Sequence, residues 1–478
     1  MITLLSLTWM VLNWVRMLRP FPVALFIAAS VFLVISLYVR IHRESTNHAV
    51  TLLCMMCYAV PTAGRSIIGG SFADLPFPWF YVFAILLVVV LLTTGVRADG
   101  FRKGRPSMAV VVATLTVCIT PIYLFGHGGP SPEAIKDMLT PLLYNCVLLA
   151  SLLHGSTLNG AQEHLVLSSW TASAALVGGL IAVQHLGYTT MGLETGVRFL
   201  GASRISAPLM FTDLSSATVF LACGILIALR SIIGFNMLSS SLLIRILQTF
   251  LALLGISLSS ARTGFGALAF TLAAMLLFDA TIRKMKAIVF AGLLLLGGVA
   301  GFGLSRWGLS AGDLILADSG RLRLLSQGLR LFLERPLLGV GWGDWSVATM
   351  PIAPHNSYVK LLIQTGVLYA NLVFGMLAYL LARALRNRDL TAFWLLWATL
   401  VGSMVTPGLL STRYVMIITS LIALSGEASS DVVVRSAVAL QSQSSVHGLA
   451  CAIRAHASRA ARGCRRPSRS FRPAMPEE

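Results

Sequence analysis

His355 stands directly before a long apolar run in "APHNSYVKLLIQTGVLY", residues 353–369. A neutral imidazole in that position can take a proton from a hydroxyl group near neutral pH. Pro354 ends the preceding loop and Asn356 or Ser357 can cap a helix, whose N-terminal dipole would disfavour imidazolium and keep the ring basic. Arginines accompany it: Arg262 in the short turn "SLSSARTGFG", Arg321 and Arg323 in "SGRLRLL", and Arg198 and Arg204 in "GVRFLGASRISAPL". A guanidinium donates two parallel hydrogen bonds to phosphate oxygens, stays charged, and sheds water more readily than an ammonium group. A lipid-linked diphosphate fits such a set. As a leaving group it would have its developing charge stabilised by the same arginines, work that metals often do. Taken singly, each residue has a plainer role, the histidine as an interfacial side chain and an arginine snorkelling to headgroups. Several converging on one side favour an anionic site.

Other chemistries find little support. No histidine pair has metal-ligand spacing and no aspartates pair closely in a loop, so a divalent-metal mechanism is disfavoured and no metal is expected. "GVGWG" lacks the Lys-Ser/Thr of a phosphate-binding loop. "CMMC", residues 54–57, lies inside an apolar run without a second pair, which suits helix packing better than redox or metal chemistry. "GGVAGFG", residues 297–303, suits close helix approach.

These residues need a membrane bundle to position them. The chain has 478 residues, 56% hydrophobic and 11% charged, whereas soluble domains are roughly a quarter charged. Runs of roughly 20 apolar residues, enough to cross a bilayer, recur near 21–39, 47–63, 77–96, 107–125, 138–155, 165–186, 209–229, 243–259, 264–279, 287–305, 357–382, 391–409 and 412–425. Residues 1–17 add a further span or lie along the interface, since Arg16 and Arg19 follow closely. A cleaved signal peptide is not needed to explain the first run. The runs are continuous rather than alternating, so the expected fold is all-α, a polytopic bundle of 12–14 transmembrane helices.

Lysine and arginine in short loops mark the cytoplasmic side. "VRADGFRKGR" (96–105), "IRKMK" (282–286) and "RALRNR" (383–388) all fall on one side under this span count. Loops 126–137, 187–208, 260–263 and 306–356 fall on the other, and the C-terminus is expected in the cytoplasm. The large external loop, 306–356, is of a length that usually serves function, and it holds three tryptophans. Within it, Leu322, Leu325, Leu329 and Leu333 share one helical face, with Arg323 and Arg330 elsewhere on the wheel. Such a helix would lie on the membrane surface or cap the bundle, and "PLLGVGWGDW" after it is turn-rich. The membrane domain is read as 1–425. Residues 426–478, with eight arginines and no hydrophobic periodicity, form a basic, disordered cytoplasmic tail. That tail suits anionic lipid headgroups or simple solvation. It carries part of the +18 net charge, and without interleaved aromatics it gives no argument for nucleic acid.

One pattern is shared with a known family. His355, Asn356, nine residues, Gly366, two residues and Tyr369 follow its motif; "SSARTG" resembles its short Ser-Arg turn; "GRLRLL" supplies Arg321 with Leu325; and "ERPLLGVGWG" resembles its Pro-Leu-Leu-Gly-Val-Gly segment. Over roughly 255–375 the chain therefore resembles the O-antigen ligase and Wzy-type polysaccharide polymerase superfamily. The resemblance implies a GT-C-like, metal-independent, inverting glycosyltransferase of the bacterial inner membrane, with no cofactor and its active site facing the periplasm. The donor would be a glycan on undecaprenyl diphosphate. His355 would activate the acceptor hydroxyl and Arg262 and Arg321 would hold the diphosphate, with Arg198, Arg204, Asn356 and Arg323 in support. "ASRISAPLMFTD" departs from the family pattern around Arg204.

The family contains polymerases, which extend a lipid-linked repeat unit, and ligases, which transfer a chain to lipid A core. Likeness of the "RPLLGVGWGDW" to "HNSY" region to exopolysaccharide-production proteins leans towards a polymerase. Its partners would be the glycan donor, a glycan or lipid-linked acceptor, membrane lipids, and a chain-length regulator and flippase of the same pathway. The rival is a transporter or flippase of lipid-linked sugars. Transporters commonly show repeated halves and broken helices at mid-membrane, whereas here charge gathers at external ends and in one large loop.

Overall fold

Apolar runs become helices wherever their backbone can be closed at the ends, and asparagine side chains start three of them. Asn47, Asn159 and Asn356 each accept from backbone N–H groups of the first turn that follows, and Asn159 completes a reciprocal box with Gln162. In the computed structural model the described residues are 1–18, 23–62, 78–95, 107–125, 132–154, 157–193, 198–199, 205–206, 214–234, 240–259, 263–279, 319–343, 356–406 and 413–425. His355, Arg204, Arg262, the 287–305 run and the 426–478 tail lie outside them, as does the remainder of the 306–356 loop.

The chain is mostly helical. Its helices are α1 (Ile2–Leu18), α2 (Val23–Ser45), α3 (His48–Ala59), α4 (Trp79–Gly95), α5 (Met108–Ile119), α6 (Pro132–Leu153), α7 (Gly160–Met191), α8 (Leu214–Gly234), α9 (Ser240–Leu258), α10 (Thr263–Phe278), α11 (Ser319–Glu334), α12 (Ser357–Arg386), α13 (Leu390–Ser403) and α14 (Tyr414–Leu424). Short 3-10 turns follow α3 at Val60–Thr62 and α5 at Thr120–Phe125. Strands β1 (Arg198–Phe199) and β2 (Ile205–Ser206) pair antiparallel, with Arg198 opposite Ser206. Three helices are long and apolar enough to cross a membrane, Ala24–Ser45, Gly160–Met191 and Ser357–Arg386. Most other helices are shorter apolar segments of 10–17 residues.

Small residues let some helices meet backbone to backbone. A Cβ on Gly178 of α7 would lie 2.1 Å from the Leu251 carbonyl oxygen of α9, and one on Gly255 of α9 would lie 2.5 Å from Gly178. The "CMMC" cysteines are buried in α3, where the Cys57 thiol faces the Val166 carbonyl of α7 at 3.8 Å.

Helix ends within residues 1–425 fall into two groups. At one end, His154 Nδ1 donates to the Leu91 carbonyl (3.1 Å) and Leu158 N–H to the Leu424 carbonyl (3.0 Å). Arg383 there donates to the carbonyls of Ile422 (3.1 Å) and Ala423 (2.9 Å). Arg230, near the end of α8, pairs with Asp279 after α10 at 2.6 Å and donates to Thr391 in the first turn of α13 at 3.2 Å. All three basic stretches adjoin this end: 383–388 lies in it, and Gly95 and Asp279 are the last described residues before the other two. The opposite end carries Asn356.

Helix α11 differs from expectation in its packed face. Leu331 is 7% exposed and packs with Val340, Val359 and Ile363, alongside Leu324, Leu325 and Phe332. Leu329 and Leu333, expected to share that face with Leu325, are 42% and 71% exposed. Leucines occur all round this helix, so the docking partner α12 selects the buried stripe. Arg323 and Arg330 are exposed, away from it.

Candidate active site

Gly366 interrupts α12 with φ 63° and ψ −173°, a conformation essentially reserved for glycine. A break in a helix frees backbone donors and acceptors, and here the turn after α11 takes them up. Val367 N–H donates to the Pro336 carbonyl (2.7 Å) and Leu368 N–H to that of Leu337 (3.4 Å). The carbonyls of Ile363 and Gln364 accept from Val340 N–H (2.8 Å) and Gly341 N–H (2.9 Å). Gly339, with φ 66°, approaches so closely that a Cβ would lie 2.6 Å from the Gln364 carbonyl carbon. The "PLLGVG" segment and the glycine of the His-Asn-x9-Gly pattern are thus two sides of one joint.

The joint is locked from the far side by aromatic rings. Trp342 is buried and donates its indole N–H to the Thr120 carbonyl at 2.9 Å. Its ring packs edge-on against Tyr123 and Tyr369, with centroids 6.4 and 6.0 Å away. The Tyr369 hydroxyl bonds Thr120 Oγ1 at 2.9 Å and accepts from Asn145 Nδ2 at 2.8 Å. Tyr369→Phe is expected to cost about 1–2 kcal/mol, because two buried polar groups lose the same partner. Thermal unfolding in detergent would register this as a lower Tm; an unchanged Tm would mean the hydroxyl does not hold the joint.

Ten residues before the break, Asn356 caps α12 through Tyr358 N–H (3.0 Å) and Val359 N–H (3.1 Å), which settles the cap on Asn356. Ser357 is the first helical residue and donates Oγ to the Thr406 carbonyl at 2.6 Å. A Cβ on Gly402 of α13 would lie 2.6 Å from Val219 of α8. The neighbouring Thr218 Oγ1 accepts from Gly264 N–H at 3.1 Å, two residues after Arg262 in the sequence. The residues flanking His355 and those flanking Arg262 therefore lie at one end of the bundle, linked through α8 and α13.

The first turns of α12 carry further polar contacts, to α6. Gln364 Nε2 donates to Asp137 Oδ2 of α6 at 3.2 Å, and Lys360 Nζ lies 3.8 Å from the same oxygen. One turn along α6, Thr140 bonds the buried Tyr81 hydroxyl, and Arg413 at the start of α14 lies over the Tyr81 ring, 5.5 Å from its centroid. Asp137, Lys360, Gln364 and Arg413 are not among the residues expected from sequence.

Of the expected residues, Asn356 occupies the mouth of α12, Arg321 lies in the first turn of α11 and Arg198 in β1. Arg323 is exposed on α11, and no described contact brings it to Asn356. No family model matches the chain, and no curated protein matches its sequence.

Proposed function

We propose that the chain is a polytopic polysaccharide polymerase of the bacterial inner membrane. It would pass a glycan from undecaprenyl diphosphate to a hydroxyl of a lipid-linked repeat unit. The observation that carries this reading is the joint at Gly366. Two motif segments, "PLLGVG" and His-Asn-x9-Gly-x2-Tyr, bond to each other there, and the same helix begins beside His355, at the end of the bundle that holds the neighbours of Arg262. Clustering of the three basic stretches at the opposite end supports a cytoplasmic position for that end and a periplasmic one for the site. The shorter helices, at about 15–26 Å, would cross with their flanking residues, giving the bundle of 12–14 spans. Residues 306–356 would form the periplasmic loop and 426–478 the cytoplasmic tail.

In the proposed step the acceptor hydroxyl attacks the anomeric carbon from the face opposite the diphosphate, which inverts its configuration. The new carbon–oxygen bond forms as the bond to diphosphate breaks, and the hydroxyl proton passes to His355. The electron pair leaves on undecaprenyl diphosphate, whose charge Arg262 and Arg321 would stabilise. A ligase passing the glycan to lipid A core would use the same donor site and base.

A broken helix is also a transporter feature. In transporters the unwound backbone is available to ions or substrate; in α12 the freed groups of Ile363, Gln364, Val367 and Leu368 are taken by the chain's own 336–341 segment. That favours the enzyme.

The reading is tested with purified protein and lipid-linked repeat units, following chain length by gel. Arg262→Lys is expected to slow chain growth by roughly tenfold or more at unchanged charge, because lysine lacks the bidentate fork. A lysine variant as fast as wild type would remove Arg262 from the diphosphate site. Lipid movement between leaflets without chain growth would favour the transporter, and growth only on lipid A core would favour the ligase.

A further inference from the structure

Helix α12 is longer than a bilayer needs. Its 30 residues make about 45 Å of helix, against a hydrocarbon core of about 30 Å. Its charge shows which part is surplus. Between Gly366 and Arg383 the run "VLYANLVFGMLAYLLA" has no charged side chain and covers about 26 Å, close to the thickness of that core. Ahead of Gly366, Lys360 and Gln364 meet Asp137, contacts that are costly inside lipid. Arg383 at the other limit lies among the helix ends of the basic side. We propose that the outer edge of the hydrocarbon meets α12 at the Gly366 joint, and that the exposed leucines of α11 and its turn rest on the phospholipid of the external leaflet there, as an interfacial anchor. This rests on α12 crossing the membrane, as in the reading above, and not on the reaction assigned to the chain.

Helix α11 reaches that level because it docks on the surplus piece of α12, packing on Val359 and Ile363. The rest of its surface is divided into two strips. Leu329 and Leu333, four residues apart, form one, and both are exposed. Arg323, Ser326, Arg330 and Glu334, spaced by three and four, form the other and are exposed as well. A helix lying in a membrane interface turns an apolar strip to acyl chains and a charged strip to headgroups and water. The leucine strip continues past the end of the helix. Leu337 and Leu338 are exposed in the turn, the Leu337 carbonyl accepts from Leu368 N–H, and Leu368 is exposed on α12 just inside the proposed edge. The apolar surface of α11 is thus continuous with the outer surface of the span.

Charge along the strip suits lipid phosphates. Arg335, like Arg323 and Arg330, is exposed, and Glu334 is the only acidic residue among the described residues 319–343. Long arginine side chains beside bare leucines can reach headgroups while their stems stay in the apolar layer. The four backbone bonds of the joint tie this anchor to α12. The depth of α11 in the interface therefore sets the height of the α12 mouth above the lipid.

The depth of single spin labels tests this on the full chain in vesicles of phosphatidylethanolamine and phosphatidylglycerol. Cys54, Cys57 and Cys223 are buried and stay; Cys118, Cys146, Cys451 and Cys464 are replaced by serine. Leu333→Cys and Leu338→Cys probe the apolar strip, Ser326→Cys and Arg330→Cys the polar one, and Leu368→Cys the span. Collisions with oxygen, which concentrates in lipid, are compared with collisions with a water-soluble nickel chelate. Labels at 333 and 338 are expected about 5–10 Å inside the headgroup level, the depth of an in-plane helix face. The label at 368 should lie deeper, and those at 326 and 330 at or outside that level. Leu329→Cys repeats the measurement on the apolar strip away from the joint. Nickel contact at 329, 333 and 338 equal to that at 330 would place α11 in water, and shielding of all three from both reagents would place them under protein; either result overturns the anchor. With 368 in lipid the span would survive both results, whereas nickel contact at 368 as well would overturn the span along with the anchor.

Discussion

Replacing His355 with alanine is expected to slow chain growth by at least about a hundredfold, the lower end of what a positioned general base contributes. Its next neighbour Asn356 closes the first turn of α12 by bonding two backbone amides, so the chain at 355 leads directly into a fixed helix start. That start is restrained by two contacts, Ser357 on Thr406 and Gln364 on Asp137. Alanine keeps the Asn356 cap, so thermal stability should stay near wild type while the chemistry is lost. The proposed donor contacts from Arg262 and Arg321 are untouched, so binding of the lipid-linked donor should persist. A variant that binds donor but does not extend it, followed by gel and by a binding titration, is the expected result. Polymerisation at the wild-type rate would remove His355 from the mechanism.

Gly366→Ala is expected to be nearly as damaging to activity, by a different route. Glycine is needed twice over at this position. Its φ of 63° with ψ −173° strains any residue with a Cβ, at about 1–3 kcal/mol. A Cβ there would also lie 2.3 Å from the Leu337 carbonyl oxygen and 2.6 Å from Leu338 N, both backbone atoms that cannot rotate away. The 336–341 segment must then leave the joint, with loss of its four backbone hydrogen bonds to α12 and the seat of Trp342. The expected readouts are a lower Tm, new protease sensitivity around 336–343 and little chain growth. Gly375→Ala in the same helix is the control: nothing lies within 4 Å of its added Cβ, and alanine favours helix. That variant should be neutral or slightly more stable. If Gly366→Ala matched it, the joint would not be what holds α12.

Much of the helix pattern is legible in the amino-acid sequence. Apolar runs expected at 47–63, 77–96, 107–125 and 264–279 correspond to His48–Thr62, Trp79–Gly95, Met108–Phe125 and Thr263–Phe278. Removing apolar side chains from water is a property of each run, so such segments declare themselves without knowledge of their neighbours. The cap at Asn356 is legible for the same reason, since capping involves only the next turn.

The joint is not legible in this way. Gly366 sits in a run that reads as one continuous helix, and its break makes sense only when the Pro336–Gly341 backbone is brought beside it. The packed face of α11 is equally hidden, because leucines surround that helix and only docking on Val359 and Ile363 selects among them. Lys360 and Arg413 give little signal because one lies inside an apolar run and the other at the edge of one.

Composition, apolar runs and local caps therefore specified the helices and the basic stretches between them, because burial and capping act over a few residues. Which polar groups share a site was decided by folding alone. Gln364 and Asp137 are 227 positions apart, and Tyr369 and Asn145 are 224 apart. Their bonds depend on helices meeting at particular faces, and those meetings follow from small residues at contacts such as Gly264 with Thr218 and Gly402 with Val219. Hydrogen bonds and charge pairs act over only a few ångströms, so the partners exist only once that packing has brought them within reach.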